Sequence, residues 1–176
     1  WGVDQAIGDL NAHFASENTV FEAIELDSGC SGDVAGPAAQ TLVDSGVVAV
    51  VGAACSGASM GANAILSAAG IPMISYASTN PGLSDEAVYP HFYRVVPSDA
   101  IQGPAGAAMM ADAGVTNESL AILHMTNDYG SGLADSVKAA WETSGSLCGA
   151  GMQGYEETTT DFSALVTSIV SDDTCG

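Results

Sequence analysis

The sequence predicts an α/β fold with parallel sheets flanked by helices, arranged as two successive runs. Three observations carry this. Segments with apolar residues at helical spacing alternate with short β-branched runs. Short loops rich in turn residues separate them, as in βα units joined by right-handed crossovers. The alternation stops at Pro97-Ser98-Asp99 and begins again, which divides the chain into residues 1–97 and 98–176.

The elements follow in order. Residues 2–14 carry Val3, Ile7, Leu10 and Phe14 at helical spacing. Residues 19–26 read as a strand, with Val20, Ala23 and Ile24 among acids, and residues 33–44 read as a helix. Residues 47–51 form a short β-branched run of the kind buried in parallel sheets. An Ala-rich helix over 58–69 ends at Gly70, a glycine suited to the left-handed residue after a helix. A strand over 72–75 leads into a loop over 76–86 containing Asn80, Pro81 and Gly82. Another strand covers 92–96. The second run predicts a helix over 100–113, a strand over 120–125, a helix over 131–144 and a weak strand over 147–155. A last helix over 162–170 has Asp161 as its expected N-cap.

Composition excludes several functions. Hydrophobic residues make up 47% of the chain and aromatics only 6%, so the core must be built from aliphatic side chains. Acids number 21 against two bases, Arg94 and Lys138, for a net charge of −19. A chain this acidic lacks the basic face that nucleic acid requires. It is equally unsuited to docking on anionic lipid. The longest apolar stretch, residues 47–54, is far short of the ~18 to 20 residues of a membrane span, so no direct membrane insertion is expected. The chain opens at Trp1 without an initiator Met or a signal-peptide pattern, which reads as a trimmed form or a fragment.

The cysteines at 30, 55, 148 and 175 include no CxxC pair, and no histidine stands at zinc-ligand spacing, so no metal is expected. The even count fits two disulfides, Cys30–Cys55 and Cys148–Cys175, each within one local unit and implying an oxidising compartment. Four thiols in a reduced protein are the alternative.

In open parallel sheets a ligand sits beyond the carboxyl ends of the strands. Three segments there are small and polar: residues 53–57, residues 77–79 and residues 126–130. None contains Lys or Arg, so hydroxyls and main-chain N–H groups would have to bind an anion, which suits one carboxylate better than a polyphosphate. The P-loop and GxGxxG patterns are absent, and no cofactor is expected.

Residues 47–103 resemble the leucine/isoleucine/valine-binding proteins of bacterial ABC transporters, and also the ligand-binding domain of metabotropic glutamate receptors. The motifs are the Cys55-Ser56 turn, S-x-A-S-T-N-P over 75–81, L-S-D over 83–85 and R-V-V-P-S-D over 94–99. D-Y-G-S-G-L-A over 128–134 and D-F-S-A-L over 161–165 extend the match. The resemblance implies two Rossmann-like lobes of the type 1 periplasmic binding protein fold. The family's opening strand would precede Trp1, and much of the second lobe would follow Val170. The fold is therefore expected to be incomplete at both ends.

The resemblance also implies a site. Ser56, Ala77 and Thr79 would hold the α-carboxylate of a small amino-acid-like ligand, with Ser78 as a neighbour. Asp99 matches the receptors' acid that pairs with the ligand ammonium, and Tyr129 the second-lobe tyrosine that reaches the ligand on closure. Cys30 and Cys55 match the family's first-lobe disulfide. An ABC transporter permease would be the partner, and the location periplasmic or extracellular, lipid-anchored or soluble. A sensory domain of the same fold is the alternative.

Plainer roles stand beside these. Ser56 and Thr79 could cap βα loops, and Asp99 could be the N-cap of the following helix. Tyr129 could be a half-buried loop aromatic, and Arg94 could pair with an acid. A catalytic reading would make Cys55 a nucleophile with His124 as base, although G-x-S-x-G is missing.

The acid excess serves solubility, and it also predicts adaptation to high salt, where screening removes self-repulsion. The melting temperature should climb as NaCl is raised from millimolar to molar levels. A flat profile would leave the acids as a solubility coat only.

Overall fold

A computed structural model describes residues 2–175 and shows two separate parallel sheets, each covered by helices. The first has the order β1-β2-β3, with β1 Val50–Val51, β2 Met73–Ser75 and β3 Phe92–Arg94. Val51 pairs with Ile74, and Ile74 with Tyr93. The second sheet pairs β4 Ile122–Met125 with β5 Met152–Tyr155, also in parallel.

The helices are α1 Gly2–His13, α2 Gly32–Asp44, α3 Ser56–Leu66, α4 Asp99–Asp112, α5 Asp128–Trp141 and α6 Ser163–Val170. A short 3-10 turn over Pro81–Ser84 follows β2. Helix α2 starts where the Ser31 side chain accepts the Asp33 N–H. Helix α3 runs into a 3-10 turn that closes at Gly70, whose φ of 70° is the left-handed conformation expected after a helix.

The first core is small and aliphatic. Ala35, Ala39, Ala58, Ala62, Leu66 and Met73 are buried together, with Val50, Ile65 and Phe92 packed around them. Small residues let α2 and α3 lie close. A Cβ at Gly61 would run into the Gly32 backbone, so the helices cross where neither has a side chain. In the second unit α4 and α5 approach similarly, with Gly103 against Ser136. Ala107, Ala134, Trp141 and Cys148 are buried there. Disulfide Cys148–Cys175, with Cα atoms 5.0 Å apart, ties the loop before β5 to the segment after α6. Disulfide Cys30–Cys55 spans 5.2 Å and joins the start of α2 to the start of α3. No helix among the described residues is long and apolar enough to cross a membrane.

The structure corrects several boundaries. Residues 19–26 form no strand. Phe21 exchanges hydrogen bonds with the Asn11 side chain and joins no ladder, while Val20 is 75% exposed. The expected strands at 47–51, 72–75, 92–96, 120–125 and 147–155 shrink to their paired ends, the first two residues or more being lost from all but 72–75, which loses one, and 92–96, which loses its last two. Helix α5 begins at Asp128, three residues early, because Asn127 caps it by accepting the Gly130 N–H. The last helix begins at Ser163 with Phe162 at its N-cap position, although the Asp161 carboxylate still accepts the Ser163 N–H. Trp1 lies outside the described residues.

Leu66 is completely buried at the end of α3. Leu66→Ala should lower unfolding free energy by roughly 2 to 5 kcal/mol, since the cavity cannot close between two helices in contact. Denaturant titration checks this, and a loss under about 1 kcal/mol would mean that the site is not tightly packed.

Candidate functional site

The loops after β1 and β2 meet over the start of α3, and buried hydroxyls hold them. Ser75 ends β2 with its hydroxyl donating to the Ala53 carbonyl at 2.5 Å and accepting from the Ser78 N–H at 2.9 Å and the Ala77 N–H at 3.2 Å. The Ser78 hydroxyl lies 3.2 Å from the Ala53 carbonyl, 3.1 Å from the Ala54 carbonyl and 2.8 Å from the Ser59 hydroxyl. Ser59 in turn reaches the Ala53 carbonyl at 3.2 Å. All three serines are fully buried. Ser78 therefore faces the interior and shapes the loop.

Ser56 is the first residue of α3. Its hydroxyl oxygen accepts the Asn80 N–H at 3.2 Å. The first N–H groups of a helix have no partner within the helix. A side-chain cap would satisfy one of them. Here the N-cap residue is Cys55, which gives no side-chain cap hydrogen bond and whose sulfur is bonded to Cys30. The positive end of α3 is thus left uncapped beside the Ser56 hydroxyl. The Thr79 N–H also has no hydrogen-bond partner among the described residues. Ala77 is exposed at the rim of the same loop.

Thr79 and Asp99 form a reciprocal pair. The Thr79 hydroxyl donates to Asp99 Oδ2 at 2.9 Å, and the Asp99 N–H donates to the Thr79 carbonyl at 2.9 Å. Asp99 is fully buried, and its Oδ1 has no hydrogen-bond partner. It is the first residue of α4 and not the N-cap, a role taken by Ser98, whose hydroxyl accepts the Ala100 N–H. Burial pushes the Asp99 carboxyl above the ordinary carboxylate range. The Thr79 hydrogen bond and the nearby Arg94 charge pull the other way without reversing the shift.

Arg94 makes no ion pair within 4 Å among the described residues, contrary to the expected pairing with an acid. Its guanidinium donates to the Asn80 carbonyl at 2.9 Å and the Ser78 carbonyl at 3.5 Å, and to the Ser84 hydroxyl. It is spent on holding the loop after β2. Burial lowers its pKa, with the Asp99 charge opposing that change.

Ser56, Ser78, Thr79 and Asp99 are therefore brought together. Tyr129 stands apart. It is the second residue of α5, 44% exposed, and its hydroxyl makes no hydrogen bond among the described residues. Its neighbour Asp128 approaches Gly57, and the Asn80 amide donates to the Asp128 carbonyl. Cys55 is in a disulfide, so it cannot be the nucleophile of a thiol enzyme. His124 Nδ1 lies against the Met125 carbonyl. No group of three or more His, Cys, Asp or Glu among the described residues could hold a metal. Sequence reasoning missed Ser59 and Asn80. The three-residue spacing of Ser56 and Ser59 on one helix face was the available signal for the first.

Raised pKa makes Asp99 a pH-dependent element. The folded state holds its proton more tightly than the unfolded chain, so Asp99 should cost stability as pH rises from the ordinary value of 3.8 through its raised folded value. Urea titrations of Asp99→Asn and the parent should diverge over that window, with the parent losing relative stability as pH rises. Parallel curves would mean that Asp99 is not desolvated.

Residues 2–173 match the family model described as the receptor family ligand binding region. A leucine-specific-binding protein of Salmonella typhimurium is 33% identical over 165 residues, which cover 94% of this chain and 44% of that protein. A leucine-, isoleucine-, valine-, threonine- and alanine-binding protein of Pseudomonas aeruginosa is 29% identical over 168 residues, covering 96% and 44%. The chain spans less than half the length of these relatives. Among solved structures, the branched-chain amino acid transporter substrate-binding protein LivJ of Streptococcus pneumoniae, in complex with isoleucine, superposes with a TM-score of 0.79. The two are 26% identical, with 98% of this chain and 48% of that chain covered. An ABC transporter substrate-binding protein of Desulfitobacterium hafniense gives a TM-score of 0.70 at 26% identity, covering 94% and 48%.

Proposed function

Since the chain belongs to the receptor ligand-binding-region family and has its type 1 periplasmic binding fold, we propose that it captures a small amino acid or related carboxylate between two lobes and delivers it to an ABC transporter. The lobes are residues 1–97 and 98–176, the second partial, with the hinge at 97–99.

One observation carries the proposal. A single cluster offers unpaired main-chain donors on one side and an unpaired carboxylate oxygen on the other. The uncapped start of α3, the Ser56 hydroxyl and the Thr79 N–H suit an α-carboxylate. Asp99 Oδ1 suits an ammonium group. A zwitterion satisfies both, and burying either set unpaired is costly. Ala77 contributes its main chain at the rim. Ser78 acts indirectly, by fixing the loop. Asp99 starts α4 at the hinge, so opening there admits the ligand. Closure brings Tyr129 over it.

The transport role rests on the solved relatives, both titled as transporter substrate-binding proteins. The binding role needs no catalytic residue and no cofactor. A permease reads the closed form through its different affinity for the open and closed states. Two disulfides fit a location outside the cytoplasm, periplasmic or extracellular.

Titration calorimetry of the complete protein with L-leucine and L-isoleucine tests this. Binding should be saturable, and Thr79→Ala should weaken it by about 1 to 3 kcal/mol. Equal affinity in the variant would remove Thr79 from the site. The absence of heat from either amino acid in the parent would sink the aliphatic ligand.

A further inference from the structure

Asn80 uses its N–H, its carbonyl and both ends of its side-chain amide in hydrogen bonds. Its N–H donates to the Ser56 hydroxyl at 3.2 Å. Its side-chain oxygen accepts the Gly82 N–H at 2.7 Å and caps the 3-10 turn Pro81–Ser84. Its carbonyl accepts from Arg94 at 2.9 Å and from the Leu83 N–H at 3.2 Å. Only its amide NH2 leaves the first unit, and it donates to the Asp128 carbonyl at the start of α5.

Two glycines make that crossing possible. A Cβ at Gly132 would meet the Asn80 amide and come 3.2 Å from the Pro81 ring. A Cβ at Gly57 would meet the Asp128 carboxylate. Both sit where α5 comes against the loop after β2 and the start of α3. Neither position needs the left-handed freedom of glycine, because both lie inside helices. Their use here is close approach.

We infer that Asn80 is a latch between the two units. It holds the start of α5 against the loop that carries Ser56 and Thr79, and so sets how far the cleft stands open before a ligand arrives. It is a positioning residue, acting through Ser56 on one side and through α5 on the other. The effect on ligand capture rests on the function proposed above, whereas the contact itself does not.

Two variants test the latch in the complete protein. Asn80→Asp keeps an oxygen for the Gly82 N–H but turns a second oxygen toward the Asp128 carbonyl. The cap survives and the crossing bond becomes a repulsion. Gly132→Ala places a methyl group against the Asn80 amide, while alanine favours the helix over glycine. Small-angle scattering without amino acid should show a larger radius of gyration than the parent for both variants. L-leucine should bind each of them roughly five- to ten-fold more weakly, the effect of about one hydrogen bond. Parent-like scattering in both variants would overturn the latch. That arm is decisive even if the parent takes up no L-leucine, a result that counts against the proposed function alone.

Discussion

The proposed cleft depends on what gathers at one carbonyl. Ala53 O, just past β1, accepts the Ser75 hydroxyl and lies within hydrogen-bond reach of the mutually bonded hydroxyls of Ser59 and Ser78, so groups from β2, from α3 and from the loop after β2 meet there. Each is fully buried and would be costly to leave unpaired, so each is committed. Together they fix the loop after β1 relative to the loop after β2. That relation places Ser56 beside Thr79. Serine is suited to this, because its short side chain reaches a neighbouring backbone without filling the space a ligand would need.

Charge explains why the proposed site is built from backbone. Of the two fixed cations, Lys138 lies 3.6 Å from Glu142 in an exposed pair on α5, and Arg94 is held on the carbonyls of Ser78 and Asn80. No basic side chain is left to face an anion in the cluster. Helix dipole and main-chain N–H groups are the remaining means, and they favour one carboxylate over a polyanion. The same scarcity leaves Asp99 without an ion-pair partner within contact distance. Its carboxyl is raised by burial and only partly relieved by Thr79 and the more distant Arg94 charge.

Much of this architecture is legible in the residues. Helical spacing, the β-branched run before Gly52 and the stop at Gly70 locate β1 and α3 with small errors at their ends. The resemblance motifs bring Ser56, Thr79 and Asp99 together, and the structure sets them in one cluster. The failures have a physical pattern. Residues 19–26 alternate like a strand, but a strand needs a neighbour, and here Phe21 is held by Asn11. Arg94 was expected to seek an acid in a chain full of acids, yet three uncharged oxygens lie nearer. Ser78 reads as a ligand neighbour because it lies between two ligand candidates. Bends at Tyr76 and Ala77 bring it back into the core, where its hydroxyl lies against the Ala53 and Ala54 carbonyls.

Local rules are broken where the function is proposed. Helix α2 has a serine cap, α4 has a serine cap and α5 has an asparagine cap. Helix α3 alone of the three that border the cluster starts at a cysteine, and the disulfide to Cys30 denies it a side-chain cap. Asp99 Oδ1 is buried without a partner, and the Thr79 N–H is unused. A side-chain cap at 55 would contribute about 1 kcal/mol, less than the ~2 to 4 kcal/mol typical of a disulfide, so the uncapped start of α3 follows from Cys55, whereas asparagine or alanine at 99 would remove the buried carboxylate. The three defects adjoin one another and carry complementary charge. Asn63 Oδ1 is also buried without a partner and α6 also starts without a side-chain cap, so what is informative at the cluster is that unsatisfied groups of complementary charge adjoin one another.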